Sequence, residues 1–272
     1  MTVLVVGEAL IDRVNRTDGS VVERVGGSPL NVAVALGRLG LDVQLLTALG
    51  DDARGAAVRE HALASKVQVL AAPLPRTAVA EATLDGTGAA TYVFDIAWDL
   101  AGAPTPAPSD WLHVGSVGTV LEPGAARVRE LVASFEGTVS FDPNCRPLLT
   151  PEPDLSAVEA IVAHCDVVKL SDEDAAFLLP GCPLIELLHR WRALGPRLVV
   201  VTRGAEGALA LSDQLTEIPV PAGDPVVDTV GAGDTFMAGL IAADGRSFDL
   251  AATASRVVVS RVGADPPWAH EL

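Results

Sequence analysis

The residues of this 272-residue chain best suited to chemistry lie late, in Asp228-Thr229-Val230-Gly231-Ala232-Gly233-Asp234-Thr235-Phe236. A short β-rich run, Pro225 to Val227, precedes them, and a helical pattern from Thr235 to Ala243 follows, ending near Gly245. Small residues at a helix start leave several backbone N–H groups unpaired and approachable. With the helix dipole, such groups form an anion site. The acid placed inside that site, Asp234, reads in two ways. It is a favourable first-turn carboxylate, or it faces a hydroxyl that attacks a phosphoryl group held by the amides. Phosphoryl transfer needs positioning, charge stabilisation and a carboxylate to accept the proton, and one glycine-rich turn supplies all three.

Competing motifs are absent. There is no G-x-x-x-x-G-K-[ST], and neither of the two lysines, Lys66 and Lys169, follows a glycine, so a P-loop lacks its lysine. No His-Arg-Asp triplet and no G-x-S-x-G occur, which excludes the protein-kinase set and the usual hydrolase elbow. Gly231-Ala232-Gly233 opens like a dinucleotide fingerprint, but Phe236 stands where glycine is required, and that fingerprint belongs after a first strand.

The elements that must position this turn follow an α/β rhythm. Thr2 to Val6 reads as a buried strand. Leu10 to Val14 and Val21 to Val25 flank Asp18-Gly19, a hairpin signal in which both central residues need positive φ. A helix is predicted from Ser28, with Ser28 as N-cap, Pro29 at its first position, Asn31 in its first turn and Gly40 as its stop. Val43 to Leu49 reads as a strand and Ala53 to Ser65 as a helix. A second hairpin, Thr77 to Leu84 and Ala89 to Phe94, turns at Asp85-Gly86. From Trp111 onward strands and helices alternate as far as the strand Leu198 to Val201. The rhythm predicts a mainly parallel sheet with helices on both faces, and ligands bind such sheets beyond the C-terminal strand ends.

Composition bounds the function. Hydrophobic residues make up 49% of the chain, enough for a large core and too many for a disordered chain. The formal net charge is −16, so neither nucleic acid nor an anionic membrane is an expected partner. No apolar run approaches the ~18 residues of a membrane span. Cys145, Cys165 and Cys182 form no C-x-x-C pair, and the chain opens into Val3-Leu4-Val5-Val6 without a basic leader. Both features lead to an expected cytoplasmic location.

Asp228-Thr229-x-Gly231-Ala232-Gly233-Asp234 resembles the C-terminal signature of the PfkB, or ribokinase-like, sugar kinases. Other stretches resemble that family's motifs in order: Gly7-Glu8-x-Leu10-Ile11-Asp12, Gly26-Gly27-Ser28-Pro29-x-Asn31-x-Ala33, Asp142-Pro143-Asn144-x-Arg146, Val201-Thr202-x-Gly204-x-x-Gly207 and Gly263-Ala264-Asp265-Pro266-Pro267. The resemblance implies a three-layer α/β/α fold with a mainly parallel central sheet and a small β-strand lid. It implies one kinase domain over residues 1–272, with lid segments at about 10–25 and 76–96. It implies ATP and Mg²⁺ as cofactors, with K⁺ in some members. Asp234 would be the catalytic base, and the backbone of Gly231, Ala232 and Gly233 the anion hole. Asp12, Gly27 and Asn31 would hold sugar hydroxyls, and Arg146 would bind substrate near the phosphate path. Ser171, Thr202, Gly204, Gly207 and Thr229 would meet ATP. Read without the resemblance, Asn31 is a solvated first-turn residue and Asp12 a hairpin charge.

Two departures stand out. Where the family shows Asn-x-x-Glu for magnesium, this chain has Ser171 and Asp174, and Asp174 would act through water unless Glu173 substitutes. Asp228 would contribute to a monovalent-cation site, as in some members. The Arg203 loop, the Asp142 motif and the Gly-Ala-Asp-Pro-Pro tail resemble bacterial fructokinases. Ribokinases tend to carry a Glu where Gly115 stands, so fructose is expected ahead of ribose. A 2-keto-3-deoxygluconate kinase is the rival, with Arg13, Arg16, Arg24 and Arg76 as candidate partners for an acid sugar. A degenerate sugar-binding regulator is the non-enzyme alternative. Lid strands often pair between subunits in this family, so a homodimer through the lid is the expected assembly.

Overall fold

A computed structural model describes residues 1–84 and 90–272; the turn expected at Asp85-Gly86 lies outside them. The strands, in chain order, are β1 (Thr2–Val6), β2 (Leu10–Asn15), β3 (Val21–Gly26), β4 (Asp42–Gly50), β5 (Val67–Leu74), β6 (Val79–Leu84), β7 (Ala90–Asp95), β8 (Trp111–Gly115), β9 (Thr138–Asp142), β10 (Val167–Ser171), β11 (Leu198–Thr202), β12 (Ala208–Leu211) and β13 (Leu215–Ile218). The helices are α1 (Ser28–Arg38), α2 (Ala53–Ala64), α3 (Gly124–Ser134), α4 (Leu155–Val162), α5 (Asp172–Leu178), α6 (Leu184–Arg192), α7 (Ala232–Ala242) and α8 (Asp249–Val258).

The central sheet runs β13-β12-β11-β10-β9-β8-β1-β4-β5. Every pairing from β5 to β11 is parallel, and the β11-β12-β13 edge is antiparallel. Alternate residues of each strand feed two separate cores, as a period of two requires. Val3, Val5, Leu45 and Val200 pack under α1, α2, α7 and α8. Leu4, Val6, Phe141 and Val201 pack under α3 to α6, where Leu187, Leu188 and Trp191 of α6 are fully buried. The three layers match the expected architecture. A second sheet, β3-β2-β6-β7, joins the two hairpins through a parallel β2-β6 pairing. Arg54 of α2 reaches this sheet at Glu23, 2.5 Å away. Asp52, the N-cap of α2, accepts from the Gly55 amide and from both the amide and hydroxyl of Thr77, just before β6.

Several local expectations change. The Asp18-Gly19 turn has positive φ only at Gly19 (83°). The loop is wider than two residues, because the Arg16 amide donates to the Ser20 carbonyl across it. Ser28 is not the N-cap of α1; Gly27 holds that position at φ 109°. Strands β5, β12 and β13 had no sequence expectation. Pro73 within β5 is tolerated because β5 is an edge strand, and β12 and β13 are only four residues each. Pro225 to Val227 is not a strand. Val226 and Val227 are exposed, and the Val227 amide bonds the Val259 carbonyl beyond α8 instead of a sheet edge. Finally, α7 starts at Ala232, three residues before the expected Thr235, because Gly231 at φ 79° caps it.

The pairing of α7 with α8 depends on a close backbone approach. A methyl group on Gly239 would lie 2.3 Å from Ala251 Cα and 2.7 Å from its nitrogen. Gly239→Ala is therefore expected to destabilise the fold by about 1–3 kcal/mol through overpacking. The check is a urea unfolding curve whose midpoint falls while its slope is unchanged.

Candidate active site

A cleft of about 950 Å³ opens beyond the C-terminal ends of β1, β9, β10 and β11. It lies where the strand order reverses about β1, the usual ligand position in open α/β sheets. Asp12 of β2 and Phe94 of β7 close one end, and the start of α7 with the loops after β11 and β13 forms the other.

Asp234 sits in the first turn of α7, buried to 9% exposure but lining the cleft. Two side chains of α1 hold it. The Ser28 hydroxyl donates to Oδ1 at 2.6 Å, and the Asn31 amide donates to Oδ2 at 2.8 Å. Gly27 permits this approach: a Cβ there would meet the Glu8 carbonyl at 2.6 Å. In front of Asp234, the Ala232 amide already donates to the Thr229 carbonyl at 3.2 Å, whereas among the described residues no backbone acceptor meets the Gly233 and Asp234 amides. These two donors face the cleft mouth of the helix. A methyl on Gly231 would strike Ala264 at 2.7 Å, so the turn is pressed against the Gly263-Ala264 tail. Asp228 secures that contact, accepting from the Val230 amide at 3.1 Å and the Gly263 amide at 2.9 Å. Those amides hold its pKa below the usual carboxylate range.

Below the turn lies a buried ion pair, Lys169 Nζ to Asp142 Oδ2 at 2.6 Å. Burial pushes Asp142 up to about 6 against the pull of Lys169. Burial also pushes Lys169 down, but the carboxylates of Asp142, Asp234 and Asp174 together outweigh it, and its pKa is raised.

Toward the small sheet, Asp12, Glu8 and Arg146 share the cleft wall. Arg146 is anchored on Asn144, donating to its side-chain oxygen at 2.6 Å. Burial raises both neighbouring carboxyls, Glu8 to about 7, and the Arg146 charge partly offsets each shift. At the opposite end, Ser171, Thr202, Gly204, Gly207 and Thr229 line the cleft beside an apolar wall that includes Ile218, Val220 and Val259. Gly207 is required there, because a Cβ would meet the Ile218 carbonyl at 2.1 Å.

The family model described as pfkB family carbohydrate kinase matches residues 2–270. The chain belongs to this family. It is 34% identical to a fructokinase of Klebsiella pneumoniae over 256 residues, covering 88% of this chain and 82% of that one. The fold is similar to the structure of a Xylella fastidiosa fructokinase with bound ATP, with a TM-score of 0.83, 26% identity and coverage of 97% and 93%. It is equally similar, at TM-score 0.83 and 27% identity over 97% and 93%, to a double-mutant Vibrio cholerae fructokinase bound to fructose, ADP and potassium ion.

As a PfkB carbohydrate kinase, the chain brings Asp12, Gly27, Asn31, Arg146, Ser171, Asp174, Thr202, Gly204, Gly207 and Thr229 to one cleft with the Gly231 to Asp234 turn. Asp228 does not line it and acts as a loop staple. Asp174 is committed to structure as well: it forms a capping box with Ser171 and accepts from the Cys145 amide at 2.7 Å. Mg²⁺ is usually held by one or two carboxylates plus substrate phosphates; Asp172, Glu173 and Asp174 line the cleft, but among the described residues no cluster of three acids is arranged to hold a metal. Gly115 has a packing reason unrelated to substrate. A Cβ there would lie 2.2 Å from the Asp142 carbonyl, and Gly115 does not line the cleft. The lid arginines are also absent from the lining: Arg13 pairs with Glu23 and Glu81, and Arg76 with Asp95.

Glu8, Ser28 and Lys169 line the cleft without having been expected there, and Asp142 stands behind Lys169. Ser28 was masked by its suitability as an N-cap. Lys169 carried one signal, as one of two lysines in the chain, placed directly before Leu170-Ser171 at a strand end.

The raised Glu8 pKa has a consequence for stability. Between its unfolded value near 4.5 and its folded value near 7, the unfolded chain has released the proton that the folded chain keeps. Stability therefore falls as pH rises through that window, by roughly 3 kcal/mol in all. Glu8→Gln, which can still accept from Gly118, is expected to match the parent near pH 4 and to be more stable by up to about 3 kcal/mol near pH 8. Denaturant midpoints at the two pH values check this.

Proposed function

We propose that this carbohydrate kinase phosphorylates fructose with ATP. The observation that carries the reading is the setting of Asp234: a buried carboxylate at the N-terminus of α7, fixed by Ser28 and Asn31 and adjacent to unpaired amides at the cleft. Asp234 accepts the proton of the sugar hydroxyl as that oxygen attacks the γ-phosphorus. The Gly231 to Gly233 turn steadies the migrating charge through the amides at its end, those of Gly233 and Asp234, with helix dipole support; the Ala232 amide, expected in the anion hole, is engaged by Thr229. Asp12, Gly27 and Asn31 orient the sugar, and Arg146 neutralises the carboxylates beside it. Ser171, Thr202, Gly204, Gly207 and Thr229 seat the nucleotide. Asp174 would hold Mg²⁺ through water, and the ion would supply neutralisation of phosphate charge. Asp228 supports a K⁺ site behind the turn. The small sheet, segments 10–25 and 76–96 of a single kinase domain, acts as a lid that excludes water from the transfer. It also offers the homodimer surface, and the enzyme works in the cytoplasm.

Similarity to fructokinases supports fructose. The 2-keto-3-deoxygluconate alternative loses support because none of the four lid arginines lines the cleft, and Arg13 and Arg76 pair with carboxylates of the small sheet. Ribose loses nothing from Gly115, whose identity is a packing matter. A comparison of kcat/KM for fructose, ribose and 2-keto-3-deoxygluconate is therefore the deciding measurement. Fructose is expected to lead, and a preference for either other sugar would refute the assignment. Asp234→Asn is expected to lower kcat by about 10²–10⁴-fold or more while sugar binding, measured by calorimetry, is largely kept. Near-normal kcat in that variant would remove Asp234 as the base.

A further inference from the structure

Three observations about Lys169 are not explained by a stabilising ion pair. First, its ammonium reaches past Asp142 to the underside of the glycine turn, where a methyl on Gly233 would lie only 2.9 Å from Nζ. Second, the pair is poorly satisfied: Asp142 Oδ1 is buried with no hydrogen-bond partner among the described residues. A buried pair kept for stability alone gains little unless every lone pair is met. Third, Lys169 faces three carboxylates, Asp142, Asp174 and Asp234, and also lines the cleft. A triply anionic polyphosphate must approach that cluster, so a cation at its centre has a task beyond cancelling Asp142.

We propose that Lys169 is a positioning residue for phosphoryl transfer, held by Asp142 so that its ammonium supports the Gly233 end of the anion-binding turn. In the transfer itself, the sugar oxygen bonds to the γ-phosphorus, the bond from that phosphorus to the β,γ-bridging oxygen breaks, and the hydroxyl proton goes to Asp234. Charge moving between the two oxygens passes beside the Gly233 and Asp234 amides. A fixed cation beneath Gly233 favours that arrangement more than the ground state, because it cannot follow the charge and need not reorganise. The ammonium lies close enough to Gly233 that any larger residue there would displace it.

This rests on Asp234 and its turn forming the transfer site, but not on the sugar. The test therefore uses whichever sugar the wild type phosphorylates fastest, and a preference other than fructose would refute the fructose reading alone. Three variants are compared: Lys169→Met, Asp142→Asn, and the two combined. Lys169→Met is expected to lower kcat by about 100-fold or more with KM for ATP and sugar nearly unchanged. Affinity for the ADP–aluminium fluoride–sugar complex should fall in parallel, while ADP alone binds normally. The combined variant removes both charges and should recover thermal stability but not kcat, and it carries the test if Lys169→Met fails to fold. If the combined variant regains both stability and kcat, or Lys169→Met keeps kcat within about threefold, Lys169 is only the partner of Asp142 and the proposal is wrong.

Discussion

The carboxylate of Asp234 is gripped by the first turn of α1, through Ser28 and Asn31, while its own helix begins at the same spot. Two helix N-termini thus converge on one acid. The two meet the acid with different donors: α1 with the side chains of Ser28 and Asn31, α7 with the backbone amides beside the acid. The carboxylate occupies part of this anion-binding region permanently and leaves the Gly233 and Asp234 amides for a visiting anion. The remaining architecture can be understood as keeping these two helix starts in contact. Gly27 removes the side chain that would strike Glu8, Gly231 lets the turn press on Ala264, and Gly239 lets α7 lie close on α8.

Charge organises the cleft in the same way. The chain is strongly acidic, and carboxylates gather at the site: Glu8 and Asp12 at one end, Asp142, Asp174 and Asp234 at its centre. A cleft meant for a polyanion cannot leave these unanswered. Burial pushes Glu8 and Asp142 upward, Arg146 offsets the first group, and Lys169 serves the second. Lys169 is buried against Asp142 and Arg146 is anchored on Asn144, so each cation is oriented before any ligand arrives.

Much of this was legible in the residues. The order of strands and helices, both hairpins and the glycine turn follow from local patterns, and the motifs at Gly7, Asp142 and Val201 fall at the ends of parallel strands, where such a sheet exposes its ligand face. Edge elements were the weak point. The short β12 and β13 and the proline-bearing β5 have little local signal, and what makes them strands is a neighbouring edge that accepts their hydrogen bonds. The Pro225 to Val227 run is the converse case: despite two valines it remains a loop, with the Val227 amide bonded to the Val259 carbonyl.

Sequence alone determined the chemical inventory: an acid after a glycine turn, a small-residue helix start near residue 28, and an α/β rhythm to carry both. It could not distinguish Ser28 as a cap from Ser28 as a donor to Asp234, nor Gly115 as a substrate determinant from Gly115 as a strand contact. It also could not place Lys169 under Gly233. Those assignments depend on distances between residues separated by tens to hundreds of positions. Such distances are set by the register of parallel strands and by which sheet face each helix covers. Local propensity acts over a few residues, so only the packed tertiary structure could decide them.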